Sequence, residues 1–249
     1  MELLNKVAFI TGAASGIGLG IAERFAAEGA VVIVVDRDDK GGKIVAAHLQ
    51  NQGRKAHFIQ ADLADPQDIT RAVTSALDLG GQLDIVVNNA AIFLSKPVEH
   101  ISLAEWDLMM AVNLRAPFLI VQAALAALKA TQGSILNISS TAAMRVFSPN
   151  LPYITAKAAL ITMTKSLAQE LHPHRIRVNC LCPGAVDTPA LRRDIEDRAA
   201  GEAALDRLRD QGYLTTPEQI AAVALHLVSR ESSAVTGSII VADAGAMLS

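Results

Sequence analysis

The chain has 249 residues, 51% of them hydrophobic but only 4% aromatic, and a formal net charge of −3. That length suits one large α/β domain, and a core poor in aromatic residues must be built from Val, Ile, Leu and Ala, as when helices pack on a parallel sheet. The mildly acidic balance gives no electrostatic case for nucleic acid or an anionic membrane, and the two cysteines, a C-x-C at Cys180 and Cys182, read as buried thiols rather than a metal or redox centre.

Short β-branched runs alternate with longer helical patterns. Strands are predicted at 6–11, 31–35, 56–60, 85–88, 134–139, 177–181 and 239–241, and helices at 16–28, 40–52, 66–79, 103–130, 152–171 and 217–229. Several helices carry start signals: Asp65 followed by Pro66, and capping boxes at Ser102 with Glu105 and at Thr216 with Gln219. The alternation predicts a Rossmann-like, doubly wound α/β fold, a parallel sheet of about seven strands with helices on both faces. No repeat, low-complexity tract or linker divides it, so a single domain spanning 1–249 is expected. The one interruption, 190–212, is rich in Arg, Asp and Glu and longer than a strand-to-helix link needs. A mobile lid over a pocket is expected there, with a solvated helical pair as the alternative.

The first residues lack the basic and apolar regions of a signal peptide. The longest helical apolar stretch, 116–128, is broken by Gln122 and falls short of a bilayer span, so a cytoplasmic chain is expected. That stretch has almost no polar face; one side is expected on the sheet and the other against a second subunit.

The first predicted strand runs into Thr11-Gly12-Ala13-Ala14-Ser15-Gly16-Ile17-Gly18 and then an apolar helix. Glycines there permit a tight turn and close backbone approach, so a pyrophosphate can sit on the helix N-terminus. The spacing is G-x-x-x-G-x-G, which meets the general dinucleotide fingerprint only in part. Asp36 ends the second predicted strand, where a carboxylate accepts hydrogen bonds from an adenosine ribose and repels a 2′-phosphate. NAD rather than NADP is expected, although Arg37 adds a positive charge nearby.

Tyr153 and Lys157 are four residues apart in a helical pattern that opens with Pro152. A free phenol, with a pKa near ~10, is a poor base at neutral pH. An ammonium about 4.5 Å away, at an effective dielectric of ~20, favours the phenolate by about 3.7 kcal/mol, enough to make Tyr153 a usable proton acceptor.

Taken together these stretches resemble the short-chain dehydrogenase/reductase family over nearly the whole chain. The turn from Thr11 to Gly18 matches its T-G-x-x-x-G-x-G, and Asp62-Leu63 falls where the family contacts adenine. Asn88-Asn89-Ala90-Ala91 matches N-N-A-G except at Ala91, and Asn113 stands at the family's helix-centre asparagine. Ser140 lies 13 residues before Tyr153, as the family's catalytic serine does, and Pro183-Gly184-Ala185-Val186-Asp187-Thr188 matches P-G-x-x-x-T. The stretch 236–245 resembles T-G-x-x-x-x-V-D-G-G, with Ala242 and Ala244 as departures that put local backbone geometry in doubt.

The resemblance implies roles. Tyr153 exchanges a proton with a substrate hydroxyl while hydride moves between the same carbon and the nicotinamide; Ser140 donates to the substrate oxygen, and Lys157 stabilises the phenolate and binds ribose hydroxyls. Asn113 holds a water linking Lys157 to solvent, and Thr188 holds the nicotinamide amide. Gly12, Ser15, Gly16, Ile17, Gly18, Asp36, Asp62, Leu63, Asn89, Ala90, Pro183, Gly184 and Val186 complete the expected NAD site, with no metal. A homotetramer is implied, with a dimer as the alternative. A substrate pocket is expected between Phe93, Leu94, 144–151, Ala185 and the 190–212 lid, with Arg145 and Asn150 as polar candidates. A secondary alcohol, such as a sugar or polyol, is the expected substrate. A 3-oxoacyl thioester reductase and an NAD-binding sensor or scaffold without turnover are the rival readings.

Overall fold

The computed structural model describes residues 1–146, 150–197 and 201–248. The β-branched runs form seven parallel strands: β1 (Val7–Thr11), β2 (Val31–Asp36), β3 (Ala56–Gln60), β4 (Ile85–Asn88), β5 (Ser134–Ile138), β6 (Arg177–Pro183) and β7 (Ile239–Ala242). Their order is β3-β2-β1-β4-β5-β6-β7. The winding therefore reverses between β1 and β4, the point at which open α/β sheets place ligands, beyond the carboxyl ends of the strands.

The helices are α1 (Gly16–Ala27), α2 (Asp39–Asn51), α3 (Pro66–Gly80), α4 (Leu103–Met110), α5 (Ala116–Thr131), α6 (Leu151–Leu171), α7 (Pro189–Asp197), α8 (Glu202–Asp210) and α9 (Pro217–Val228). Strand alternation feeds a core on each side of the sheet. Ala8, Ile10, Val32 and Val34 meet Ile21 and Phe25 of α1, Leu49 of α2 and Ile220 of α9. Val7, Phe9, Ile33 and Val35 join the core of Ile69 and Val73 of α3, Ile120 and Leu128 of α5 and Leu171 of α6. The expected starts are present: Asp65 accepts from the Gln67 amide, and both capping boxes are closed.

Three expectations change. The helix predicted over 103–130 is interrupted by a π-helical turn at Ala111–Arg115. Its physical cause is twofold: Asn113 turns its side chain to an adjacent segment, and Pro117 has no N–H to donate to the Asn113 carbonyl four residues back. Counted through that turn, Leu103–Thr131 is long and apolar enough to cross a membrane by length and composition, where the sequence reading counted only 116–128. Its inner face, with Met109, Ile120, Val121, Ala124 and Leu128, is buried in the protein, while Phe118 is exposed.

The 190–212 segment, read as an interruption between elements, forms the helices α7 and α8; 198–200 lie outside the described residues. Ile195 and Leu205 are buried, and Arg192 grips Asp187 through two bonds of 2.8 and 2.9 Å. At the C-terminal end, Ala244 stands at φ 53°, the left-handed region that glycine adopts without strain. The family's glycine is thus replaced at a position that calls for one.

Arg177, at the start of β6, carries a load that nothing in its sequence context announced. Its guanidinium donates to the carbonyls of Leu227, Val228, Ser229, Ser232 and Val235 at 2.7, 3.0, 3.0, 3.2 and 3.3 Å. The Leu227 and Val228 carbonyls close α9, where helix geometry supplies no partner, and the other three lie in the turn beyond it. Replacing it by Met should cost about 3 kcal/mol. In a thermal melt that is a fall of roughly 6–12 °C in Tm.

Candidate active site

The turn after β1 is shaped for a ligand's close approach. Gly12 and Gly16 have φ of 65° and 57°, and a Cβ on Gly18 would stand 2.2 Å from the Gly12 carbonyl oxygen. Ser15 is the N-cap of α1, yet its hydroxyl makes no capping bond. The turn is stapled to β4 by Asn89, whose Nδ2 donates to the carbonyls of Thr11 at 2.9 Å and Gly12 at 3.2 Å. The Thr11 hydroxyl in turn accepts from the amides of Asn89 and Ala90, both at 3.0 Å. Thr11, a motif residue whose role no spacing announces, is the joint between β1 and β4.

Asp36 lies beside this turn. One carboxylate oxygen accepts from the Ala14 amide and the other from the Asp38 amide, each at 3.0 Å. At the end of β3, Asp62 accepts from the Ala64 amide at 2.9 Å and Leu63 is buried. Across the crevice, the turn after β6 comes close: a Cβ on Gly16 would meet the Thr188 methyl at 3.2 Å. The Thr188 hydroxyl accepts from the Leu191 amide at 3.2 Å, Val186 is buried, and Gly184 leaves room where a Cβ would strike Asp243. The structure therefore brings Gly12, Ser15, Gly16, Ile17, Gly18, Asp36, Asn89, Ala90 and the Pro183–Thr188 turn around one crevice. Backbone amides at a helix N-terminus, glycine-cleared space and a carboxylate at the ribose end fit a nicotinamide dinucleotide.

The proposed catalytic side chains lie at the end of β5 and on α6. Ser139 is tied down by its hydroxyl, which donates to the Lys157 carbonyl at 2.8 Å. Ser140 follows in extended backbone, its oxygen accepting from the Ala142 amide at 3.1 Å. Burial pushes the partly buried Tyr153 phenol above the ordinary tyrosine value; a hydrogen bond with Ser140 pulls it back, and nearby Cys182 and Asp194 push it up. Lys157 is buried, donates to the Ile138 carbonyl at 2.6 Å, and is pushed down to about 8 by desolvation.

This corrects the expectation of a phenol lowered by an adjacent cation. The Lys157 nitrogen sits 5.8 Å from the Tyr153 ring centre, and its short bond is to a strand-end carbonyl. Desolvation works against charge on both groups, so the pairing that would offset it is not made in this arrangement.

Asn113 is wholly buried in the π-helical turn. Its Oδ1 accepts from the Ile92 amide at 2.9 Å, and its Nδ2 donates to the Ile92 carbonyl and the Met109 sulfur, each at 2.9 Å. Pro117, four residues on, has no N–H to donate to the Asn113 backbone carbonyl. The i−4 spacing of Met109 was readable in the sequence; the clamp on Ile92 was not. The next residue, Phe93, meets the Tyr153 ring edge-on, with centroids 4.8 Å apart and planes at 60°. Cys180 and Cys182 are buried with sulfurs 3.9 Å apart, and among the described residues no three His, Cys, Asp or Glu side chains form a metal-binding group. Of the expected pocket lining, residues 147–149 and 198–200 lie outside the described residues.

Comparison with known proteins shows the family of the chain. A family profile described as enoyl-(acyl carrier protein) reductase matches residues 12–247. The chain is 36% identical over 247 residues to the rabbit (Oryctolagus cuniculus) dehydrogenase/reductase SDR family member 4, covering 98% of this chain and 94% of that protein. Among solved structures it is similar to a Burkholderia cenocepacia short-chain dehydrogenase in complex with NADP, at 34% identity and a TM-score of 0.91 over 99% of this chain and 100% of the other. It is also similar to a Brucella melitensis 3-ketoacyl-(acyl-carrier-protein) reductase complexed with NADH, at 35% identity and a TM-score of 0.88 over 98% of each chain. The chain belongs to the short-chain dehydrogenase/reductase family, and NAD(P)-dependent oxidoreduction at a CH–OH or ketone centre is its class of activity.

A buried lysine whose pKa is depressed costs stability while it stays protonated, because the unfolded chain holds that proton more readily. The penalty is complete below about 8 and fades as pH rises toward 10.5. Lys157→Met should therefore melt a few degrees above wild type at pH 7, with the advantage disappearing over that window; melts at several pH values check the sign.

Proposed function

We propose that this chain is an NAD-dependent dehydrogenase/reductase that interconverts a secondary alcohol and its ketone. The observation carrying this reading is the convergence of Ser140, Tyr153 and Lys157 at the strand ends beside the glycine turn, with Ser140 close enough to the Tyr153 phenol to pull its pKa down. Bound NAD supplies the hydride acceptor. The chain's own residues do the rest: Ser140 donates to the substrate oxygen, Tyr153 takes the hydroxyl proton, and Lys157 supplies charge once its ammonium turns from the Ile138 carbonyl toward the phenol. Asn113 offers its backbone carbonyl to a water on the path to solvent. When NAD binds, Gly12, Gly16 and Gly18 would leave room for the pyrophosphate, Asp36 would accept from the ribose, Asp62 and Leu63 would flank adenine, and Thr188 would hold the carboxamide.

Asp36 supports NAD over NADP, since a 2′-phosphate would meet its carboxylate. The whole chain acts as one catalytic domain with 190–212 as its lid, works in the cytoplasm, and assembles as a homotetramer through the exposed side of α5 around Phe118. The expected sugar or polyol rested on Arg145 and Asn150. Asn150 is buried at the N-cap of α6, whereas Phe93, Met144 and Leu151 are exposed apolar side chains, which supports a less polar alcohol. The 3-oxoacyl thioester reading gains from the relative that binds NADH, and acetoacetyl thioesters belong in the assay panel. A sensor without turnover is disfavoured by the intact set of Asn113, Ser140, Tyr153 and Lys157.

NADH absorbance across a panel of alcohols, ketones and thioesters is the test. Tyr153→Phe should lower kcat by at least ~100-fold, since it deletes the proton-transfer group and keeps the ring; near-normal turnover overturns the assignment. Asp36→Ala should lower kcat/KM for NAD roughly tenfold and raise it for NADP. Unchanged selectivity removes Asp36 from the argument.

A further inference from the structure

The stretch 184–188, between β6 and α7, brings Thr188 to the crevice without a strand or helix of its own. On one side Thr215 holds it. Val186 and Thr215 form an isolated parallel bridge, and the Asp187 amide donates to the Thr215 carbonyl at 2.8 Å. The Thr215 amide and hydroxyl both donate to the Ala185 carbonyl at 2.9 Å. On the other side the first turn of α7 holds it. The Thr188 hydroxyl accepts from the Leu191 amide at 3.2 Å, and the Thr188 carbonyl accepts from the Arg192 amide at 3.1 Å. The Arg192 side chain then reaches back past Thr188: its Nε and Nη2 donate to the two Asp187 carboxylate oxygens at 2.8 and 2.9 Å. Thr188 is the residue enclosed by that brace.

As an ion pair the brace adds little stability, because the Arg192 and Asp187 side chains are 45% and 30% exposed. Its geometry is the informative part. Two bonds between planar groups fix orientation as well as position, which a single bond does not. The Thr188 hydroxyl accepts from Leu191, so its own proton is left to give, and the direction in which it is given follows the backbone on either side. Asp187 and Arg192 tie those two sides together. We propose that Arg192 is a positioning residue for the nicotinamide half of the cofactor: through Asp187 it sets the Thr188 hydroxyl that would hold the carboxamide. The inference rests on the dehydrogenase reading above and extends its cofactor machinery to a half-exposed pair that no motif spacing marks.

The test is calorimetric titration with NADH and with ADP-ribose, which keeps the adenosine, the pyrophosphate and the second ribose but lacks the nicotinamide. Arg192→Ala should weaken NADH about fivefold, the worth of one hydrogen bond, and leave ADP-ribose within about twofold. Asp187→Asn should do the same. It breaks the brace without touching Glu202, the more distant neighbour of Arg192 at 3.9 Å, and it carries the test should the alanine variant fail to fold. Arg192→Lys keeps the charge but not the fork, and should fall between wild type and Arg192→Ala. Thr188→Val should lose as much NADH affinity as Arg192→Ala, and combining the two should lose no more than either. Thermal midpoints should stay within about 3 °C of wild type. Equal weakening of NADH and ADP-ribose marks a merely structural role and overturns the proposal. Full NADH affinity in both Arg192→Ala and Asp187→Asn overturns it too, as do additive losses in the double variant. No substrate enters the measurement, so the two readings separate. A wild type that binds neither ligand removes the dehydrogenase reading and the proposal together, while tight binding left unmoved in the variants removes the proposal alone.

Discussion

Lys157 carries an ammonium into the interior, and among the described residues no carboxylate comes within ion-pairing distance of it. Its one short bond is to the Ile138 carbonyl at the end of β5. A cation kept in such a place destabilises the fold, and stability alone gives no reason to retain it. The neighbouring structure is explicable as the means of holding that cation within reach of Tyr153. The Ser139 hydroxyl fixes the backbone of α6 at Lys157 itself. Asn137 fixes α6 lower down, its Nδ2 donating to the Thr164 hydroxyl at 2.8 Å. The helix is thus fastened to β5 at two levels, and the Tyr–Lys pair moves with the sheet.

The opposite wall is built from a different kind of constraint. The π-helical turn around Asn113 sacrifices regular helix bonding to send one buried amide across to Ile92. That single side chain fixes a segment after β4 that has no strand or helix of its own, and so fixes the ring that touches Tyr153. The β4 end is held a second time by the Thr11–Asn89 staple. Glycine turn, β4 segment and α6 are therefore joined through Thr11, Asn89, Asn113 and Phe93, with the cofactor crevice on one side of the joint and the proton-transfer pair on the other.

Most of the architecture was legible because it follows from periodicity. Unbroken apolar runs such as Val31–Val35 mark strands buried on both faces, and capping residues such as Ser102 and Thr216 mark where helices begin. The site residues were legible through spacing: glycines where a Cβ collides, Asp36 at a strand end, Tyr153 and Lys157 one helical turn apart. What escaped depends on contacts between segments distant in the chain. Arg177 reaches carbonyls some fifty residues away, and the Asn113 clamp joins residues 21 apart. The direction of the Lys157 side chain escaped for the same reason. Helical spacing puts it on the same face as Tyr153, but only the fold shows a free carbonyl at the end of β5 competing for its proton. The membrane-length character of 103–131 is not legible from the apolar run 116–128 alone, because the helix continues N-terminally through a π turn.

The central claim is that Tyr153 becomes acidic when Lys157 faces it in the NAD-loaded protein. With only two tyrosines in the chain, Tyr153 and Tyr213, a Tyr213→Phe variant leaves one phenol to observe. Ultraviolet titration of tyrosinate in that variant, saturated with NAD, reads its ionisation directly. The account predicts that Tyr153 ionises well below the ~10 of a free phenol, and that Lys157→Met abolishes the lowering. A phenol that still ionises at or above ~10 with NAD bound would contradict it.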